Sequence, residues 1–177
     1  MKTIVVYYSR KGSNKYLAEK ITTSLSCDIE KIRPHLNVFL FFLMNINLGI
    51  RPVKHKLTDY NKVILYGPVW MGKFILPLRS FLDKYKDNIH ELIFVTCCGS
   101  PDAKKDEKFG HGIVFREIET IMGNKCTMCR AFPIDLVVPD DKKENPEAIM
   151  KTRLSDTNFN GVIKERFDQM IATLSEN

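Results

Sequence analysis

Short apolar runs alternate along this chain with stretches in which apolar residues recur at helical spacing. The runs are bounded by glycine, proline, asparagine or serine, as buried strands are. They predict strands at 3–9, 28–32, 62–66, 92–96 and within 126–138. The helical spacing predicts helices at 14–25, 76–85, 112–122 and 160–174. A charged, proline-bounded loop is expected at 139–146.

This alternation predicts an α/β fold in which helices cover both faces of a five-stranded parallel sheet. Right-handed crossovers leave two common doubly wound strand orders. In either order, ligands lie at the carboxyl ends of the strands. Those ends correspond to the loops at 9–14, 67–75 and 97–110.

A length of 177 residues and an apolar content of 44% fit one compact domain spanning 1–177. The apolar segment 36–50 is expected as a helical insertion after the second strand. It is shorter than a membrane span requires and carries three asparagines, so a buried or interface helix is favoured over a span. An interface helix there would provide a homodimer contact.

Five cysteines without a secretory signal favour reduced thiols in a cytoplasm over a disulfide framework. The formal net charge of +6 suits acidic protein partners or simply solubility. Basic residues are scattered and do not alternate with aromatic ones, so a nucleic-acid function has little support.

The first loop, Ser9–Asn14, follows a buried strand and opens a helix. Its backbone N–H groups, hydroxyls and helix N-terminus suit a phosphate. The spacings of the P-loop and of the Rossmann fingerprint are both absent, so a phosphate monoester is favoured over a nucleoside triphosphate or a pyrophosphate. The alternative is a polar capping turn that binds no ligand.

The second loop carries the only tryptophan, Trp70, directly after a strand end and between glycines. Such a tryptophan either stacks on a planar ligand or covers the sheet as part of the core. The third loop, Thr96–Pro101, has small side chains that let a ligand approach the backbone.

Taken together, the three loops resemble those that contact the flavin in flavodoxin-like proteins. The resemblance lies in Tyr8–Asn14, in Gly67–Gly72 with Pro77–Leu82, and in Phe94–Gly99. It covers about residues 1–135 and implies a doubly wound three-layer α/β/α fold with strand order 2-1-3-4-5. It also implies a non-covalent FMN.

The resemblance further implies which residues contact that cofactor. Ser9, Gly12, Ser13 and Asn14 would hold the phosphate, Trp70 would lie against the isoalloxazine ring, and the Thr96–Gly99 backbone would meet the polar edge of the ring. In full, the residues implied are Ser9, Arg10, Lys11, Gly12, Ser13, Asn14, Pro68, Val69, Trp70, Met71, Gly72, Thr96, Cys97, Cys98 and Gly99.

The function that follows is electron transfer through the bound flavin to a redox partner protein. One alternative is an FMN-dependent oxidoreductase acting on a quinone or a porphyrinogen-like planar substrate. Another is a flavin-free interaction scaffold. No catalytic residue and no metal site are predicted.

Two further features of the sequence are predicted to be structural. Cys126 and Cys129 have CxxC spacing, but residues i and i+3 of a strand point to opposite faces, so the pair is expected to share neither a metal nor a disulfide. His111 could reach a substrate from the third loop, but an exposed residue at the start of a helix is favoured.

Overall fold

The computed structural model describes residues 1–10, 12–35 and 49–176. Lys11 lies outside these residues, so the cofactor contact expected of it stays a prediction. Residues 36–48 also lie outside, and the helical insertion and dimer contact expected at 36–50 therefore stay predictions as well.

A central parallel sheet organises the described part of the chain. Its strand order is β2-β1-β3-β6-β7, and every neighbouring pair runs parallel. A short antiparallel hairpin, β4–β5, stands apart from it. Without that hairpin the order along the sheet is the predicted 2-1-3-4-5, which is confirmed. The strands are β1 Thr3–Tyr7, β2 Asp28–Lys31, β3 Lys62–Tyr66, β4 Val69–Trp70, β5 Lys73–Phe74, β6 Glu91–Cys98 and β7 Cys126–Pro133.

Helices cover both faces of the sheet, as the alternation of strands and helices predicts. They are α1 Ser13–Leu25, α2 Leu76–Tyr85, α3 His111–Met122, α4 Pro146–Lys151 and α5 Gly161–Glu176. Single 3₁₀ turns connect several elements, at Leu57–Asp59, Lys86–Asn88, Asp102–Lys104, Gly123–Lys125, Ile134–Val137 and Asp140–Lys142. No described helix combines the length and the apolar character that crossing a membrane requires.

The sheet separates two apolar cores because successive strand residues point to opposite faces. Ile4, Val63 and Leu65 face α2 and α3, which contribute residues such as Phe81 and Ile118. The opposite face packs on α1 and α5 through Val5, Ile64, Ile93, Leu17 and Phe167. Both cores hold the carboxyl ends of the strands in a fixed relation to one another.

Two elements near the strand ends depart from the sequence-based expectation. The second loop folds into the β4–β5 hairpin, where only a loop was expected. The region predicted as a loop at 139–146 ends in α4, which begins at Pro146 and was not predicted. Asn145 caps this helix, since its Oδ1 accepts from the backbone N–H groups of Glu147 and Ala148. Asn-Pro before a helical turn is a start signal that periodicity alone does not show.

The expectation that Cys126 and Cys129 point to opposite faces is wrong. Pairing along β6 and β7 shifts between Leu92 and Ile93, so that Cys126 pairs with Leu92 and Met128 with Ile93. Thr127 is the extra residue of a β-bulge, which restores Cys129 to the face of Cys126. Both cysteines pack against the core under α3, and their Sγ atoms lie 3.7 Å apart.

Candidate functional site

The first loop joins β1 to α1 at the carboxyl end of the sheet. Gly12 caps the helix at φ 107°, a conformation that glycine adopts readily. Its N–H donates to Ser9 Oγ at 3.3 Å, and no side chain in the described part caps the first turn of α1. The first N–H groups of a helix have no intrahelical acceptor and carry a partial positive charge. This end of α1 is therefore suited to an anion.

Two side chains of this loop are used to assemble the site. Asn14 is buried, and its Nδ2 donates to the Cys97 carbonyl at 3.0 Å while its Oδ1 accepts from the Cys97 N–H at 2.7 Å. Ser13 Oγ accepts from the Leu154 N–H at 3.2 Å. The first loop is thus fastened to the third loop on one side and to the segment after α4 on the other.

The β4–β5 hairpin presents Trp70. Met71 and Gly72, at its turn, both have positive φ, 51° and 66°, as a two-residue type I′ turn requires. A Cβ on Gly72 would lie 2.6 Å from the Lys108 carbonyl oxygen, so the hairpin also packs closely on the 100–110 loop. Trp70 is half-buried and meets the Tyr8 ring edge-on, with the ring centroids 6.4 Å apart.

The third loop begins where β6 ends, at Cys98. Burial raises the pKa of the Cys98 thiol to about 12 and raises that of Cys97 further. Both thiols are therefore neutral at ordinary pH, and neither is suited to act as a nucleophile. Cys97, Cys98 and Gly99 line a cavity.

The three loops enclose a cavity of about 470 Å³, which is in the range of small-molecule sites. Twelve of the fifteen residues implied by the resemblance line it. Lys11 is outside the described residues, Gly72 packs against the backbone of Lys108 and Phe109, and Thr96 is fully buried. The twelve are Ser9, Arg10, Gly12, Ser13, Asn14, Pro68, Val69, Trp70, Met71, Cys97, Cys98 and Gly99.

A fourth wall comes from the C-terminal third of the chain, which the sequence analysis did not connect with the site. Ile149, Met150 and Arg153 line the cavity from α4 and the residues after it, together with Ile134 and Thr152. The Asn145–Pro146 helix start is the signal that could have indicated an ordered element here. No aspartate or glutamate is found among the described lining residues, whereas Arg10 and Arg153 are.

Comparisons with known proteins agree on the architecture. A family model described as a flavodoxin domain matches residues 43–127. A flavoprotein from Lactobacillus acidophilus NCFM, solved in complex with FMN, superposes with a TM-score of 0.61 at 17% identity, over 73% of this chain and 92% of that one. A flavodoxin from the domain Archaea gives 0.54 at 15% identity, over 99% and 98%. The chain has the flavodoxin-like fold.

A bacterial flavodoxin also shares this fold along nearly the whole chain. The flavodoxin of Streptococcus pneumoniae TIGR4 superposes with a TM-score of 0.54 at 12% identity, over 99% of each chain. No curated protein matches the chain. The fold that the resemblance implies is confirmed by the strand order and by these neighbours.

The flavodoxin-like cavity fits an FMN molecule on the chemistry of its own residues. The open first turn of α1 and the arginines suit a dianionic phosphate. Trp70, Met71, Ile149 and Met150 supply apolar surface for a planar ring system. Exposed Gly99 in the third loop supplies backbone hydrogen-bonding groups for its polar edge.

Behind the third loop of this flavodoxin-like fold lies a polar cluster, where an exposed histidine was expected. His111 is instead 2% exposed. Its Nδ1 lies 3.0 Å from Ser100 Oγ and 3.5 Å from Cys98 Sγ, and its Nε2 lies 3.7 Å from Asp102 Oδ1. Burial lowers the pKa of His111, and nearby Asp102 only partly offsets this effect. The neutral imidazole fastens the third loop to the start of α3.

No group of three or more potential metal ligands occurs in the described part of the chain.

Proposed function

We propose that this chain binds FMN non-covalently in the three-loop cavity and carries electrons through it. The observation that carries the proposal is the combination found in one cavity. An uncapped helix N-terminus and two arginines provide for a phosphate, and a half-exposed tryptophan provides for a planar ring. Bound FMN would supply one- or two-electron chemistry, and the protein would supply binding, orientation and electrostatics.

In this proposal, each of the three loops contacts a different part of FMN. Ser9 and the N–H groups that follow Gly12 would hold the phosphate, while Ser13 and Asn14 keep that turn in place through Leu154 and Cys97. Trp70 would cover one side of the ring. The backbone of Cys98 and Gly99 would meet its polar edge.

A cofactor titration tests this proposal. We expect the purified protein to carry flavin absorbance, or the apoprotein to quench FMN fluorescence on titration. Trp70→Leu removes the aromatic face and should weaken FMN binding by about tenfold, since aromatic contacts contribute roughly 0.5–1.5 kcal/mol beyond area burial. Exposed Val162→Leu, on α5 and away from the cavity, is the control. A protein that neither carries nor takes up FMN would contradict the proposal and would favour the flavin-free interaction scaffold.

A flavin-dependent oxidoreductase is the second candidate, and one observation favours it. Met71 and Met150 are 62% and 63% exposed and belong to two walls of the cavity. Flexible, exposed methionines at a cavity mouth suit a second planar molecule, such as a quinone or a porphyrinogen-like substrate. Turnover of a small quinone with NADH or NADPH by the FMN-loaded protein would favour the enzyme. Inertness without a separate reductase would favour the electron carrier.

The net charge of +6 bears on the partner in either case. A basic surface favours docking to an acidic redox protein, and the association should then slow as salt is added. The proposal also includes a cytoplasmic location, which is expected because the number of cysteines is odd.

A further inference from the structure

Cys126 and Cys129 form a dithiol near the amino ends of β6 and β7, whereas the cavity lies at the carboxyl ends of the strands. Their Sγ atoms lie 3.7 Å apart, close enough that either thiol can donate to the other. Cys126 pairs with Leu92 near the start of β6, whereas Cys98, at the end of β6, lines the cavity. Six residues of strand separate these two positions, or roughly 20 Å.

The β-bulge is what brings the two sulfur atoms together. In an unbroken strand the intervening two residues would leave the cysteines on opposite faces. Thr127 is the additional residue, and its hydroxyl donates to Glu91 Oε1 at 2.7 Å on the neighbouring strand. The bulge is thus anchored to β6, and the sulfur atoms are held on one face by the fold.

The surroundings give the two thiols different pKa values and leave both partly exposed to solvent. Both cysteines are partly exposed, on the edge strand β7. The hydrogen bond from Cys129 lowers the pKa of the Cys126 thiol. The same bond, together with burial, raises the pKa of Cys129. Cys126 therefore has the greater thiolate character at a given pH.

We propose that Cys126 and Cys129 are a reversible dithiol–disulfide site that reacts with small-molecule disulfides. The Cys126 thiolate attacks one sulfur of the incoming disulfide and expels one thiolate, leaving a mixed disulfide. Cys129 then loses its proton and attacks Cys126 Sγ, which expels the second thiolate. The pair loses two electrons and two protons, and the small-molecule disulfide gains them and becomes two thiols.

The short spacing favours a reactive site over a structural staple. A disulfide stabilises a fold chiefly by closing a long loop in the unfolded chain, and here only two residues intervene. A zinc site would need further ligands, and the described residues supply no third histidine, cysteine, aspartate or glutamate to this pair. The inference is independent of flavin binding, because it involves neither the cavity nor its loops.

Thiol mapping of the folded protein tests the proposal. Cleavage after Lys125 and Arg130 releases peptide 126–130, which contains both cysteines and no other. After incubation with glutathione disulfide, we expect this peptide to lose both alkylation sites and two hydrogen atoms in mass. Treatment with dithiothreitol should restore both alkylation sites. Partly buried Cys27, which has no cysteine partner in the described structure, is the internal control and should stay alkylatable.

Serine variants test the order of the two steps. Cys129→Ser should trap the glutathione adduct on Cys126, whereas Cys126→Ser should leave Cys129 largely unmodified. Equal modification of the two variants would overturn the assignment of Cys126 as the attacking thiol. A wild-type peptide 126–130 that stays fully alkylatable while Cys27 becomes modified would overturn the site itself, and this measurement requires no variant to fold.

Discussion

Arg153 is the cavity residue that sequence patterns are least able to find. Its Nη1 donates to the carbonyls of Met150 and Thr152 at 2.6 and 2.5 Å, so the guanidinium is oriented by its own segment. The Leu154 N–H donates to Ser13 Oγ in the first turn of α1, and this contact brings the segment against the proposed phosphate position. Arg153 therefore adds a fixed positive charge where the helix dipole already favours an anion.

Removing this charge should weaken binding of the FMN phosphate and leave binding of the flavin ring unchanged. We expect Arg153→Gln to weaken FMN binding by roughly 10- to 100-fold, because a charge-assisted hydrogen bond contributes about 1.5–3 kcal/mol. Riboflavin lacks the phosphate and should bind the variant as it binds the wild type. Fluorescence titration with both flavins measures the ratio of FMN affinity to riboflavin affinity.

Lys151→Gln is the matched control for this charge change, since Lys151 is exposed, pairs with Glu147 and does not line the cavity. It should leave the ratio of FMN to riboflavin affinity unchanged. An equal loss of FMN and riboflavin affinity in Arg153→Gln would mean that the residue only holds α4 in place.

For single residues, the sequence identifies the cavity residues of the three loops because each loop follows the end of a strand. Residues such as Ser9, Trp70 and Gly99 need only the position of their strand to be placed near the cavity. Arg153 depends instead on a contact between residues 13 and 154 that no local pattern encodes. The burial of His111 likewise depends on the fold around the third loop, since its sequence neighbours are glycines.

The β4–β5 hairpin shows at the scale of elements what holds Trp70 in place. Its turn needs positive φ at Met71 and Gly72, and Gly72 is pressed against the backbone of Lys108 and Phe109. The strand ends on either side are predictable from apolar runs. The hairpin itself has only two residues per strand, too few for an alternating pattern to indicate it.

Gly72→Ala should therefore destabilise the protein by more than backbone strain alone. A second glycine with positive φ, Gly161, has φ 54° and open space around its Cβ position, so Gly161→Ala introduces a positive-φ alanine without the clash. We expect Gly72→Ala to lower the free energy of unfolding by about 1–3 kcal/mol more than Gly161→Ala, which is the usual cost of overpacking. Urea unfolding measures both variants, and equal losses would show that the 100–110 loop yields to the new methyl group.

The bulge in β7 shows which property of a strand the sequence does not predict, namely the face of the sheet to which each side chain points. Apolar content placed this strand within 126–138, and the structure has it at Cys126–Pro133. A single additional residue, Thr127, changes the face of every side chain on one side of it. Its position depends on pairing with β6 and on Glu91, which lies far away in sequence.

At the scale of the whole molecule, the strand order of the sheet was predictable from the sequence, whereas the pH dependence of the protein's stability was not. Five apolar runs alternating with helices leave few topologies, and three ligand loops after strands one, three and four match the flavodoxin-like order. Buried ionisable groups arise only when distant elements close on them. His111 is such a group, enclosed between the third loop and α3.

The burial of His111 should make the stability of the protein depend on pH. Its pKa is lowered in the folded state, mainly by burial, while the unfolded chain keeps a value of about 6.5. The unfolded state then binds the proton more tightly, so the stabilisation present above pH 6.5 is lost as the pH falls. The charged groups that act on the ring are Asp102, Lys105 and Arg166.

His111→Gln removes this titration and should flatten the profile. Between pH 6.5 and 5.5 the free energy of unfolding of the wild type should fall by up to about 1 kcal/mol relative to the variant, because the unfolded imidazole is already half protonated at pH 6.5. Other titrating groups, including Asp135, are common to both proteins and cancel in the difference. Exposed His90→Gln is the control and should follow the wild type. Parallel profiles for wild type and His111→Gln in urea unfolding would mean that the imidazole becomes protonated in the folded state without cost, through the carboxylate of Asp102 at 3.7 Å.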